Sequence, residues 1–496
     1  MPVLFRSRWW ISAVFLAMLL LGFTIFSVVS AAGSTVTLLQ VSSDPYTNST
    51  SQHQTEVEPD SYASGSTLVD VTQVGRFSDG GSSNIGWATS TDNGATWQSG
   101  FLPSTTPYAT PPGSYDRLSD PAVVYDAAHK LWMISSLAVS AAGGGSPVGA
   151  NVLVSLSSDG GLTWNAPVVV ASANGGFFDK DWITCDNTAS SPYYGHCYLE
   201  WDLASSNDLV QMSTSSDGGS TWSAAQATAD NATGLGGQPL VQPNGTVIVP
   251  FLNASTFSSS LASFTSTNGG ASWNSSVTIS SESDHQVAAN FRTEPLPTAA
   301  MDVGGTIYVV WQDCRFESGC GANDLVMSTS TDGATWSAVQ RIPLDAVGSG
   351  VDHFIPGLGI DPATSGSNAH LALAYYYYPN ANCTAATCQL EVGFASSLDG
   401  GTSWSAATPL TSAPMNVAWL ANTTDGYMVG DYIATTFSSG KAFPVFVVAS
   451  APTGSQLNES LFTVQSGLSV TGGASTASSA HVVFAGTAHT ARYNTL

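Results

Sequence analysis

The chain has 496 residues, 43% of them hydrophobic and only 9% charged, which is enough apolar material for a large core and excludes a disordered polyelectrolyte. Eleven Lys and Arg stand against 35 Asp and Glu, a net charge of −24, so no basic face is available to neutralise a phosphate backbone and nucleic acid is excluded as a partner. Forty-eight Gly, 24 Pro, 14 Trp, 16 Tyr and 20 Phe favour many short strands and tight turns over long amphipathic helices, and predict an all-β protein.

Residues 1–32 place Arg6 and Arg8 ahead of an apolar run from Trp9 to Val29, followed by Ser30, Ala31 and Ala32. That order is a basic segment, a hydrophobic segment and a small-residue cleavage site, as in a secretory signal. The run is also long enough to remain as an N-terminal anchor. Either way the expected location is secreted or cell surface, with membrane contact only through an uncleaved N-terminus.

Beyond the leader, one short pattern occurs six times. It reads Ser-Thr-Asp-Asn-Gly-Ala-Thr-Trp at 90–97, Ser-Ser-Asp-Gly-Gly-Leu-Thr-Trp at 157–164 and Ser-Ser-Asp-Gly-Gly-Ser-Thr-Trp at 215–222. Altered copies end at Trp273, Trp336 and Trp404, the first of these with Asn268 in place of the Asp. The period is about 61 residues, room for four strands and their turns. The chemistry is that of a hairpin: the Asp accepts hydrogen bonds from amides just ahead of it, Gly supplies positive φ, and Trp anchors the returning strand.

Each copy follows a repeated phrase of β-branched runs, such as Gly245–Pro250, Gly305–Trp311 and His370–Tyr375. The phrase returns once after the last copy, at 430–449 and 461–464, giving three strands without a box. The missing fourth strand is expected from 35–41 near the N-terminus, which would close a ring and remove its open edge. The expected organisation is a leader over 1–32, a β-propeller of seven blades over 33–467 and a Gly/Ser/Ala-rich tail over 468–496, with six blades as the alternative. Cys185 with Cys197, Cys314 with Cys320, and Cys383 with Cys388 are near neighbours, and local spacing favours three small disulfide loops. Eight Asn-x-Ser/Thr sequons mark loops that would be glycosylated in a competent host.

The repeated pattern matches the Asp box, and the chain resembles the sialidase-like, BNR-repeat β-propellers over most of its length. The resemblance implies a glycan partner or a glycoprotein, and a glycoside hydrolase removing a terminal acidic sugar if the protein is catalytic. It also implies that the boxes sit at the blade periphery, away from the ligand. The clamp candidates for a sugar carboxylate are Arg76, Arg292 and Arg315, because Phe291-Arg292-Thr293-Glu294-Pro295 looks like the family's Phe-Arg-Ile-Pro phrase and Arg315 ends an adjacent strand. Tyr432 is the candidate nucleophile, Glu294 its base and Asp313 the acid. The phrase stands late in this chain, whereas the family carries it before the first box and has six blades. The alternative is a non-catalytic propeller for adhesion or envelope structure. No cofactor is implied, no residue is assigned to a metal, and Ca²⁺ has no motif, although acids recur where first strands begin: Glu58, Asp120, Asp181 and Asp431. Those acids read equally as a sugar pocket or as a ring of solvated carboxylates.

Overall fold

The computed structural model describes residues 36–140, 148–173, 176–255 and 258–473. The expected leader and residues 474–496 of the expected tail lie outside them. The described residues are almost wholly strand and turn, arranged as a β-propeller of antiparallel meanders. Each meander runs outward from an inner strand. The first comprises Glu56–Ser64, Thr67–Arg76, Ser82–Ser90 and Gln98–Phe101, and later inner strands are Arg117–Asp126, Phe178–Cys185, Leu240–Val241, Thr298–Met301 and Asp352–Ile360. The sheets do not fall into equal four-stranded sets. The first two meanders share one eight-stranded sheet through the single pair Ser82 and Leu118, and the third has three strands.

The N-terminal strand Leu38–Gln40 pairs antiparallel with Glu459–Val464 at the end of the chain, Leu38 opposite Val464. It joins Lys441–Ala449 and Ala434–Ser438 in one sheet, so chain start and chain end complete the same unit. The expected tail does not begin free of the sheet: Leu468–Ser469 pairs with Lys441–Ala442, and the Thr471 amide donates to Ser396 at 3.0 Å.

The six boxes fold alike. In the first, the Ser90 hydroxyl donates to Asp92 (2.8 Å), the Gly94 amide donates to Ser90 Oγ (2.8 Å), and the Thr96 amide and hydroxyl donate to Asp92 (2.8 and 2.7 Å). Asn268 keeps the same frame, accepting from the Ser272 amide and donating to its hydroxyl. The second box glycine lies against the preceding meander. A Cβ on Gly161 would meet Val69 at 2.7 Å, and one on Gly270 would meet Thr214 at 2.1 Å. For the first box the preceding meander is the last in the chain: a Cβ on Gly94 would meet Phe443 at 2.5 Å. Val41, Ala88, Val445 and Leu461 bury together at the same junction, so the ring closes through apolar contact as well as strand pairing.

Candidate functional site

Four inner strands carry a bulge at the same place. The register slips between Val57 and Asp60, Ser119 and Ala122, Asp179 and Trp182, and Phe354 and Pro356. The extra residue in each has positive φ: Glu58 (55°), Asp120 (50°), Lys180 (53°) and Ile355 (48°). Non-glycine residues held left-handed at one level of several strands are costly, and a bulge re-aims the side chain that it carries. Here three of the four are ionisable, and they meet along the channel.

All of these groups are withdrawn from water. Glu58 is 1% exposed, Asp120 3% and Lys180 5%, which overturns the reading of a solvated carboxylate ring. Asp431 is the hub. It accepts from Lys180 Nζ at 2.5 Å and, bidentately, from Arg292 Nε and Nη2 at 2.7 and 2.5 Å. Arg76 Nη1 donates to Gln73 Oε1 at 2.9 Å, and Gln73 Nε2 in turn donates to Glu58 and to Ser119 Oγ. The Ser119 hydroxyl and the Lys180 amide both donate to Asp120, at 3.0 and 3.1 Å.

The charges in this network separate by environment. Burial, then the neighbouring Asp120 and Asp431, push the Glu58 carboxyl well above its usual range. Burial opposes ionisation of Asp431, but Arg292 and Lys180 outweigh it and hold that carboxyl far below the ordinary value. Asp120 is likewise lowered against burial, by Lys180 and by hydrogen bonds from Glu58 and Asp179. Asp179 is pushed up to about 7, burial outweighing the pull of Lys180, and burial also raises Glu294. Burial works against the cations too, yet Asp179 and Asp431 keep Lys180 firmly charged, and Asp431 does the same for Arg292.

The sequence-chosen residues divide between two places. Arg76 and Arg292 share the network around Glu58, Asp120 and Asp431, and Glu294 is electrically coupled to Lys180, Asp431 and Arg292. Arg315 does not join them. Its Nε donates to Asp313 Oδ1 at 2.9 Å, its Nη2 to Asp313 Oδ2 at 2.6 Å and to the Ser281 carbonyl, and its Nη1 to Ser280 at 3.0 Å. Asp313 is thereby committed to Arg315 and to Trp311 Nε1 (3.1 Å). Of the expected clamp and acid, Arg315 and Asp313 are thus tied by hydrogen bonds to each other and to the 280–281 segment, while Arg76 and Arg292 bond within the network around Glu58 and Asp431. Tyr432 is also enclosed, its hydroxyl donating to the Pro121 carbonyl at 3.1 Å and its ring edge-on to Trp182. Burial raises its phenol, and the acids acting most strongly on it are Glu58, Asp120 and Asp181.

Lys180 is the cation that the sequence reading missed. The first two meanders have Glu58-Pro59 and Asp120-Pro121 at the bulge, and the third has Lys180-Asp181. Without the proline, the third phrase is easily framed one residue late, on Asp181-Trp182. The alternation around Trp182 and Ile183 was the signal that fixes the frame.

Access differs at the two ends of the channel. Toward the box side, a cavity of about 460 Å³ is bounded by Tyr62, Trp182, Thr184, Met301 and Thr436. On the opposite side, Arg292 retains 17% side-chain exposure and its Nη1 faces only the exposed Asp425 at 3.7 Å. Among the described residues two groups each bring the donor atoms of three metal-ligating residues within 4.8 Å of one another, but neither offers a free donor set. In one, Cys185 and Cys197 are a disulfide; in the other, Arg341 Nη2 already lies 2.6 and 2.5 Å from Asp324 and Asp345. All three disulfides join the near-neighbour cysteines. Among the described residues no helix is long and apolar enough to cross a membrane.

The BNR repeat-like domain family matches residues 196–359. No curated protein sequence matches the chain. Among solved structures, a protein of unknown function from Dyadobacter fermentans is 14% identical, with a TM-score of 0.45, over 73% of this chain and 99% of its own. A leech intramolecular trans-sialidase is 14% identical, with a TM-score of 0.45, over 70% of this chain and 68% of its own. The NanB sialidase of Streptococcus pneumoniae is 14% identical, with a TM-score of 0.44, over 86% and 70%. The repeat match over residues 196–359 agrees with the six boxes read from the sequence.

Proposed function

We propose that the protein is an exported glycan-binding propeller that receives a terminal acidic sugar, free or on a glycoprotein, at the channel mouth beside Arg292. One observation carries the reading: Arg76, Lys180 and Arg292, from three distant parts of the chain, converge on one buried network whose outward edge is Arg292. Burial pushes Glu58, Asp179 and Glu294 toward their protonated forms, so the three cations are met chiefly by Asp120 and Asp431 inside and by Asp425 outside. A sugar carboxylate would take the place of the exposed Asp425 at Arg292 Nη1, the one guanidinium nitrogen not bonded to Asp431. Hydrolysis of the sialidase kind is not part of the proposal, because Asp313 and Arg315 serve each other elsewhere.

The same reading counts seven blades within a propeller domain spanning 33–467. Two blades are merged by the Ser82 and Leu118 pair, and apolar clusters such as that of Val41, Ala88, Val445 and Leu461 pack between successive units. Three disulfides suit an oxidising exterior.

Calorimetric titration with N-acetylneuraminic acid and glucuronic acid tests the binding. The expected result is millimolar or tighter binding that Arg292→Ala abolishes and that weakens from pH 5 to pH 8 as Asp179 ionises. Binding indifferent to Arg292, or none at either pH, overturns the proposal. Release of fluorophore from an aryl sialoside, lost in Tyr432→Phe, would restore the hydrolytic alternative.

A further inference from the structure

Three Asn-Gly pairs lie among the described residues, at Asn93, Asn244 and Asn268. Such a pair can close on itself: the glycine nitrogen attacks the Asn Cγ, because no Cβ on the glycine hinders the approach. Two features of the fold govern that attack. The glycine N–H must be free of an acceptor, and the Asn carbonyl oxygen needs donors for the charge that it gains in the tetrahedral intermediate.

At Asn93 the oxygen is well supplied, since the Ser438 and Ser439 hydroxyls donate to Oδ1 at 2.8 Å each, but the Gly94 amide is bound to Ser90 Oγ at 2.8 Å. At Asn244 the oxygen has one donor, the Thr246 amide at 2.9 Å, and the Gly245 amide is bound to the Gln242 carbonyl at 2.8 Å. Asn268, exposed in the fourth box, meets both conditions. Its Oδ1 accepts from the Ser266 hydroxyl at 2.9 Å and from the Ser272 amide at 3.0 Å, and among the described residues the Gly269 amide has no acceptor. The amide at the same place in the sixth box, that of Gly400, is bound to the Ala369 carbonyl at 3.0 Å.

We infer that Asn268 is a self-modification site, which deamidates through its own backbone and yields an aspartate that the box retains. The Gly269 nitrogen bonds to Asn268 Cγ, the Cγ–Nδ2 bond breaks, and Nδ2 leaves as ammonia with the proton that the amide gave up. Water then opens the cyclic imide at Cγ, which restores the peptide N–H and leaves a side-chain carboxylate. That carboxylate suits the turn better than the amide does. In the five other boxes, against slight burial, hydrogen bonds from the turn hold the acid below its ordinary range. Asn268 instead donates from Nδ2 to Ser272 Oγ at 2.8 Å, reversing the bond that Thr96, Thr163, Thr221 and Ser403 make to their acids. Opening the imide at its other carbonyl gives isoaspartate, which adds a carbon to the backbone inside this hydrogen-bonded frame.

Peptide mapping by mass spectrometry, after incubation of the full chain in heavy-oxygen water at pH 8, tests the site against Asn93 and Asn244 as internal controls. Deamidation at residue 268 is expected to run at least about fivefold faster than at either control, the factor that one glycine hydrogen bond supplies. The label is expected in aspartate, told from isoaspartate by electron-transfer fragmentation. Faster reaction at Asn93 or Asn244, no reaction at Asn268 over several weeks, or isoaspartate as the main product overturns the inference. Asn268→Asp gives a second measurement, since it is expected to melt no lower than the unreacted wild type at pH 7 and to lose that standing as pH falls below about 4. A lower melting temperature at pH 7 overturns the claim that the box favours the acid.

Discussion

The aspartates of the boxes and the buried Asp60 and Asp70 of the first meander are the same residue type in opposite electrostatic states. At the periphery, Asp92 is exposed and lowered by the hydroxyl and amide of Thr96, and Asp159 falls to about 2 because bonds from Thr163 outweigh slight burial. In the interior, burial pushes Asp60 up to about 7 and Asp70 to about 8. Local sequence explains the first group, since every donor lies within four residues. Only long-range packing explains the second, since its partners come from other strands and other blades. A carboxylate that satisfies a turn is a structural staple; one enclosed among cations and protonated acids is a charge store.

The comparison is broken most sharply at its hub. Asp431→Ala removes the carboxylate that hydrogen-bonds both Lys180 and Arg292 in the buried network, and should cost about 3–5 kcal/mol in chemical denaturation. A cost below 1 kcal/mol would mean that the network is open to solvent.

A second prediction concerns pH. Glu56 (about 7), Asp60 (about 7) and Asp70 (about 8) have folded values above their unfolded ones, so the native state binds more protons and stability falls as pH rises from about 4 to 8. The box aspartates have lowered values, and their contribution is lost as pH falls below about 4 toward 2. The melting temperature should therefore peak near pH 4–5 and drop by several degrees at pH 8. A maximum at pH 8 would contradict the buried, protonated interior.

Gly270 sharpens the peripheral side. It has φ of +81°, and a Cβ there would meet Thr214 Oγ1 at 2.1 Å, so Gly270→Ala combines backbone strain with overpacking between neighbouring meanders. The expected loss is about 2–3 kcal/mol, measured by urea unfolding. The smallest effect belongs to a box acid itself: Asp399→Ala removes bonds from Ser397 and Ser403 at the surface and should cost about 1 kcal/mol, with sugar binding unchanged.

Much of this architecture is legible locally. The box at 90–97 specifies its turn through neighbours in sequence, and its repetition counts out meanders because each copy must end one hairpin. The pairing of near-neighbour cysteines and the return of 38–40 to the last sheet were legible for the same reason, since strand patterning and an unpaired edge leave few arrangements. The candidate site was only half legible. Arg76, Arg292 and Glu294 do reach the network, but Arg315 and Asp313 turn to each other, and Lys180 enters through a bulge that no proline marks.

The sequence by itself determined the repeating turn, the all-β class and the closing strand, because each depends on hydrogen bonds or periodicities within a few residues. The tertiary structure alone decided which ionisable groups meet at the channel and which of them keep their protons. Register at the bulges sets where each side chain aims, and burial together with partners more than a hundred residues away sets its charge.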